Sequence, residues 1–281
     1  MQRLLFALVA IPLVVAAVWV GDLVLALLLA GVSALAAWEF AKLVRASGMQ
    51  PLSRTTIGLA AALPLAVHAF AIGLAVPRLS LVVLGIPLLG IVAMLRRRGG
   101  GKPIEASATT LLGALATGGL LAFAYGLRYH PYASGAGPMS GTLLVMLPLL
   151  LTWATDVGGY LFGRTIGGPK LAPSISPNKT IAGAVGGALL AVAVAFAYNR
   201  WLLAPQAHLG FSLGGTLGFA VGVSIAAQLG DLVESSWKRE AGVKDSSALI
   251  PGHGGVLDRI DSVLFALPTA YVLLDVWLGV R

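Results

Sequence analysis

Cysteine is absent from all 281 residues, which removes disulfides and thiolate metal ligands from consideration. Charge is scarce too. Asp, Glu, Lys and Arg make up 11% of the chain, against about 25% in soluble domains. A surface facing water on every side is therefore excluded. No polar stretch is long enough to form a soluble basic face, so nucleic-acid binding is excluded in spite of a net charge of +8. The Gly-x4-Gly-Lys-[Ser/Thr] spacing of a P-loop is missing as well.

What is present is apolar length. Hydrophobic residues are 58% of the chain, and they run in blocks rather than at helical periodicity. A helix of about 20 residues crosses a hydrocarbon core of roughly 30 Å while satisfying its own backbone. The expected fold is an all-α polytopic membrane protein of nine spans, at 4–20, 22–44, 56–75, 79–95, 108–127, 138–163, 181–203, 211–234 and 257–279. The first block is long for a signal-peptide core and lacks a small-x-small cleavage pattern, so it reads as a retained helix.

The basic residues set the orientation. Fifteen of the nineteen fall on one side: Arg3, Lys42, Arg45, Arg54, Arg96, Arg97, Arg98, Lys102, Arg164, Lys170, Lys179, Lys238, Arg239, Lys244 and Arg259. Arg78, Arg128, Arg200 and Arg281 fall on the other. The positive-inside rule places the fifteen in the cytosol, with the N-terminus inside and the C-terminus outside. Omitting everything from Arg164 onward still leaves eight against two. Residues 1–130 read as scaffold spans or a homodimer surface, and 131–281 as the catalytic region. Glycines inside spans, such as Gly183, Gly186 and Gly187, read as close helix packing.

Charged, Ser, Gly and Pro residues crowd between Arg164 and Asp261, with a first motif that opens at Asp156. Asp231 and Glu234 are three apart near a helix C-terminus, where the dipole disfavours acids. Asp258 and Asp261 are three apart at the start of the last span, where the dipole alone would accommodate them. Such acids at the membrane boundary call for a counter-ion. Mg²⁺ suits one or two carboxylates plus substrate phosphates, and Lys238 or Arg239 is the alternative partner. Lys179-Thr180, after Ser176-Pro177, opens a span and makes a helix N-terminal anion site. Gly252, Gly254 and Gly255 allow close backbone approach to a phosphate, or simply a turn. His253 can act as acid–base, phosphate donor or turn residue. Asp156 is expected to face the same polar cavity. Glu39 is as readily a lysine's partner or an interfacial residue as a functional one.

One run is specific: Ser235-Ser-Trp-Lys-Arg-x4-Lys244-Asp-x-Ser-x2-Ile250-Pro-x-His253-Gly-Gly-Val-x-Asp258-Arg-Ile-Asp261. It closely resembles the phosphatidate cytidylyltransferases (CDP-diacylglycerol synthases), as do the preceding Gly-Asp-x-x-Glu-Ser and Lys-Leu-Ala-Pro…Ser-Pro-x-Lys-Thr stretches. The resemblance is strong from about Asp156 to Ser262. Trp237 stands where that family usually has an aliphatic residue or Phe. Val157 and Gly159 depart from its Ser/Thr and Ala after the aspartate.

The resemblance implies transfer of the cytidylyl group of CTP to inner-leaflet phosphatidate, with Mg²⁺ as cofactor and, in addition, room for a monovalent cation such as K⁺. It implies Asp231 and Asp258 as metal ligands, with Glu234 and Asp261 supporting and Ser235 a candidate for the second ion. Lys179, Lys238, Arg239, Lys244 and Arg259 would hold phosphates, with Ser176, Thr180, Gly254, Gly255, His253 and Asp156 lining the site. The rival readings are a CTP-dependent polyprenol-type lipid kinase and an ion-coupled transporter. The Asp-Gly-x2-Ala-Arg pattern of CDP-alcohol phosphotransferases is not found. A transporter would place its acids near the bilayer midplane rather than at one interface.

Overall fold

Long apolar runs leave the backbone one way to satisfy its hydrogen bonds away from water, and helix accounts for 81% of the described residues in the computed structural model. The structure describes residues 2–74, 79–96, 101–133, 137–250, 252 and 254–278. Arg78, Arg97, Arg98, His253 and Arg281 lie outside the described residues.

In chain order the elements are α1 (Gln2–Val20), α2 (Asp22–Ala46), α3 (Ser53–Ala71), α4 (Leu79–Arg96) and α5 (Pro103–Ala114). A π-turn over Leu115–Gly119 joins α5 to α6 (Leu120–Arg128), and α7 (Gly137–Thr165) follows. Then come strands β1 (Lys170–Ala172) and β2 (Ser176–Thr180), α8 (Ile181–Tyr198), a π-turn over Asn199–Leu203, α9 (Ala204–Ala207), α10 (Leu213–Glu240) and α11 (Leu257–Leu278). Among the described residues, six helical stretches are long and apolar enough to cross a membrane: Asp22–Ala46, Ser53–Ala71, Pro103–Ala133, Gly137–Thr165, Ile181–Ala207 and Leu213–Glu240. The all-α membrane class expected from the sequence stands. The number nine and the orientation of the termini go beyond what these lengths establish.

Two local expectations are corrected. Residues 170–180, expected as loop, form an antiparallel hairpin with Lys170 opposite Thr180 and Ala172 opposite Ser176. The last helical turns before the signature loop also run further than the span expected to end at 234. α10 continues to Glu240, so Ser235, Lys238 and Arg239 are helical. Hydropathy marks where lipid ends, whereas a helix can continue into water when its last turn carries cations, here Lys238 and Arg239. It stops at a Schellman turn. Gly242 adopts φ +68°, and the Val243 N–H donates to Lys238 O at 2.9 Å.

The chain divides into two compact units. One comprises residues 1–21, 123–236 and 259–281, the other 22–122 and 237–258. In the first, α7 and α8 approach through glycine. A Cβ on Gly183 would lie 2.7 Å from Gly159 O, and one on Gly187 would lie 2.6 Å from Thr155 O. Small residues on both faces let the backbones meet, the expected use of these glycines. Arg128 donates from Nε to Val18 O at 2.7 Å, satisfying a carbonyl at the end of α1. In the second unit, Phe40 of α2 and Thr56 of α3 pack against Gly113 of α5. Leu52, Leu89, Ala93 and Ala106 form a small buried cluster there.

Candidate active site

In the first unit the hairpin delivers polar side chains to the start of α8. Thr180 is extended and caps that helix, its Oγ1 accepting from the Gly183 N–H at 3.0 Å. Its neighbour Lys179 places Nζ 2.7 Å from Asp231 Oδ2. Asp231 is fixed from its own helix as well: Ser235, one turn on, donates from Oγ to Asp231 Oδ1 at 3.1 Å. α10 reaches this position because Gly230 lacks a side chain. A Cβ there would lie 2.5 Å from Asp261 O and 3.2 Å from Ser262 Cα of α11.

A cavity of about 320 Å³ opens beside the pair, lined among others by Asp156, Tyr160, Asn178, Lys179, Thr180, Gln228 and Asp231. That volume falls within the range of small-molecule sites, about 300–1,000 Å³. Polar contacts continue behind it, with Thr155 Oγ1 donating to Ser224 Oγ at 2.9 Å and Gln228 Nε2 donating to Ala184 O at 3.3 Å. Asp156, on this cavity wall, feels the charges of Asp231, Lys179 and Arg259. Asn178, Gln228 and Thr155 do not stand out in the sequence. Thr155 on α7 and Gln228 on α10 look like packing residues, and Asn178 like a loop residue, until the elements are assembled.

Ser176 pairs with Ala172 across the hairpin and is not among the cavity-lining residues. Glu234 is buried, 1% exposed, while Asp231 on the same helix is partly open. Asp261 accepts from the Ser262 N–H at 2.6 Å, and Arg259 is exposed.

The second unit holds its own polar cluster. Asp258, in the first turn of α11, receives Lys238 Nζ at 2.8 Å on Oδ1. Its Oδ2 accepts the Ser246 N–H at 3.0 Å, the Ser246 hydroxyl at 2.8 Å and the Gly255 N–H at 2.7 Å. Lys244 and Arg239 are exposed, and Arg239 Nη1 donates to Val243 O at 3.2 Å. Trp237 meets Phe40 edge-on at 5.1 Å between ring centroids, which accounts for its bulk as packing.

Glu39 is neither a lysine's partner nor a residue of the aqueous edge. It is fully buried, and its carboxylate receives the Ser246 and Ser247 hydroxyls and the Val256 and Leu257 amides. No group of three or more His, Asp or Glu side chains placed to hold a metal occurs among the described residues. Enzymes that transfer cytidylyl groups generally use a divalent metal.

Comparison with known proteins bears on what this arrangement serves. The phosphatidate cytidylyltransferase of Staphylococcus aureus (strain COL) is 45% identical over 142 residues, covering 48% of this chain and 50% of that protein. The Haemophilus influenzae phosphatidate cytidylyltransferase is 46% identical over 135 residues, covering 47% and 45% respectively. The chain thus spans about half the length of the curated relatives it matches. A broader match closes the question of kinship: residues 1–277 fit the Cytidylyltransferase family, and the chain belongs to it.

Proposed function

We propose that the protein joins CTP and phosphatidate to make CDP-diacylglycerol and pyrophosphate. The observation that carries the reading is the Lys179–Asp231 pair at the edge of a polar cavity, in a chain of the cytidylyltransferase family. A phosphatidate phosphate oxygen attacks the α-phosphorus of CTP, a new P–O bond forms, and the bond to the β-phosphate oxygen breaks. Pyrophosphate leaves with that electron pair. The nucleophile is already an anion, so no serine or cysteine nucleophile and no strong general base is needed. The task is to bring polyanions together and neutralise them.

The basic side chains do this in the proposal. Lys179, Lys238, Arg239, Lys244 and Arg259 hold phosphates, Asn178, Thr180 and Gly254 contribute neutral donors, and Gly255, whose N–H goes to Asp258, shapes the loop. Mg²⁺ fits the carboxylates present. Asp231 and Asp258 are hard oxygen donors, and each already accommodates an ammonium group, Lys179 at 2.7 Å and Lys238 at 2.8 Å. Glu234 and Asp261 support them, and Ser235 is the candidate ligand for a monovalent ion such as K⁺. When bound, the divalent ion supplies charge neutralisation and orientation of phosphate oxygens. Asp156 faces the same substrates in this reading.

CTP enters from the cytosol and phosphatidate from the inner leaflet of the plasma membrane. Residues 1–130 serve as scaffold or homodimer surface, and 131–281 carry the chemistry. Family membership favours this reading over a lipid kinase or a transporter. The test is incubation of the purified protein, in phospholipid vesicles, with radiolabelled CTP, phosphatidate and Mg²⁺. Labelled CDP-diacylglycerol, dependent on all three, is the expected product, and its absence overturns the proposal.

A further inference from the structure

Glu39 is the one fully buried acid of α2, and the donors that reach its carboxylate come from a distant segment of chain. Its Oε2 accepts the Leu257 N–H at 2.6 Å and the Ser246 hydroxyl at 3.1 Å. Its Oε1 accepts the Ser247 hydroxyl at 2.6 Å and the Val256 N–H at 3.0 Å. Three donors are committed to this one carboxylate, and the single Ser246 hydroxyl proton lies between it and Asp258. Two of the three are backbone amides at the entry to α11, which would otherwise be orphan donors of a helix start. The acid therefore caps α11 from another helix.

The segment so gripped is the one that presents Asp258. Ser246 uses the same hydroxyl oxygen within 3.1 Å of Glu39 and 2.8 Å of Asp258, and its N–H points at Asp258. The fit admits nothing larger at the crossing point. A Cβ on Gly255 would lie 2.5 Å from both oxygens of Glu39.

We infer that Glu39 is a positioning residue, which holds Ser246, Ser247, Val256 and Leu257 in register on α2 so that Asp258 keeps its orientation. The inference assigns a duty in the chemical half of the reaction to a helix that otherwise reads as scaffold. Its catalytic consequence rests on the role proposed for Asp258, while the clamp itself does not.

The test uses the full-length protein in detergent. Glu39→Gln keeps size but replaces one acceptor oxygen with an NH₂ that must face a donor. Hydrogen exchange of the peptide covering 254–258 is expected to quicken at least about tenfold, with exchange in α7 and α8 unchanged. Ser247→Ala, which removes one outer hydroxyl, is expected to quicken the same peptide by a smaller factor. Unaltered exchange in both variants overturns the clamp. In the activity arm, Glu39→Gln is expected to lower kcat at least about tenfold with KM for CTP within about threefold of the parent. An unchanged kcat alongside quickened exchange overturns the positioning role. A parent protein inactive with CTP and phosphatidate would overturn the proposed function instead, and the exchange arm would still decide the clamp.

Discussion

Lys179 at the end of β2 places its Nζ 2.7 Å from Oδ2 of Asp231, although 52 residues separate them along the chain. The ion pair brings a hairpin and a transmembrane helix to one point, with Ser235 bonded to the other oxygen of the same carboxylate. An acid so held is already oriented before substrate arrives.

Asp231→Asn tests that acid. Its carboxylate is partly open, so the substitution leaves the packing of α10 intact and removes the charge. Turnover at saturating Mg²⁺ is expected to fall at least about 10²-fold with the thermal midpoint near the parent's. Steady-state assay beside thermal unfolding is the measurement, and full activity would take Asp231 out of the proposed metal site.

Asp258→Asn is expected to behave differently. The residue is 9% exposed and takes backbone donors from Ser246 and Gly255. An amide NH₂ turned toward either leaves a buried donor without an acceptor, at about 1–3 kcal/mol. Loss of activity should therefore come with a lower unfolding midpoint. An unchanged midpoint would mean that these contacts contribute little to the fold.

Gly183→Ala reverses a common rule. Alanine in a helix is usually better than glycine by about 0.5–1 kcal/mol, and Gly31, with open space where the methyl would stand, should follow that rule. At Gly183 the methyl would lie 2.7 Å from Gly159 O, and overpacking typically costs about 1–3 kcal/mol. Thermal unfolding in detergent should show Gly31→Ala at or above the parent and Gly183→Ala below it. Equal midpoints for the two would argue against tight α7–α8 contact.

Orientation is open to direct labelling because the chain has no cysteine. Ile104, Ile166 and Leu249 are exposed at 85%, 67% and 46%, in or beside the loops that the charge distribution assigns to the cytosol. Each, replaced singly by cysteine, should resist an impermeant thiol reagent in intact cells and react after lysis. Labelling of Leu249→Cys from outside would reverse the proposed topology and the side from which CTP arrives.

The sequence by itself determined the membrane class, through apolar length, and the chemical vocabulary of the site, through acids, lysines and glycines spaced along one signature. Thr180 opening α8 was legible, because a cap acts over three residues. The reach of α10 to Glu240 was not, because hydropathy reports where lipid ends and not where helix ends. The pairing of 170–180 into a hairpin was hidden in a run that reads as loop.

Tertiary structure alone decided which charges meet. That Lys179 faces Asp231, that Lys238 faces Asp258, and that Glu39 grips Ser246, Ser247, Val256 and Leu257 follow from tertiary packing. Hydrogen bonds spanning 207 to 218 residues leave no local pattern of spacing or hydropathy. A buried carboxylate must find donors, and the chain states that need at Glu39 without stating where the donors are. Only the fold, by closing that distance, turns an ambiguous acid in a helix into the fastening of a loop more than two hundred residues away.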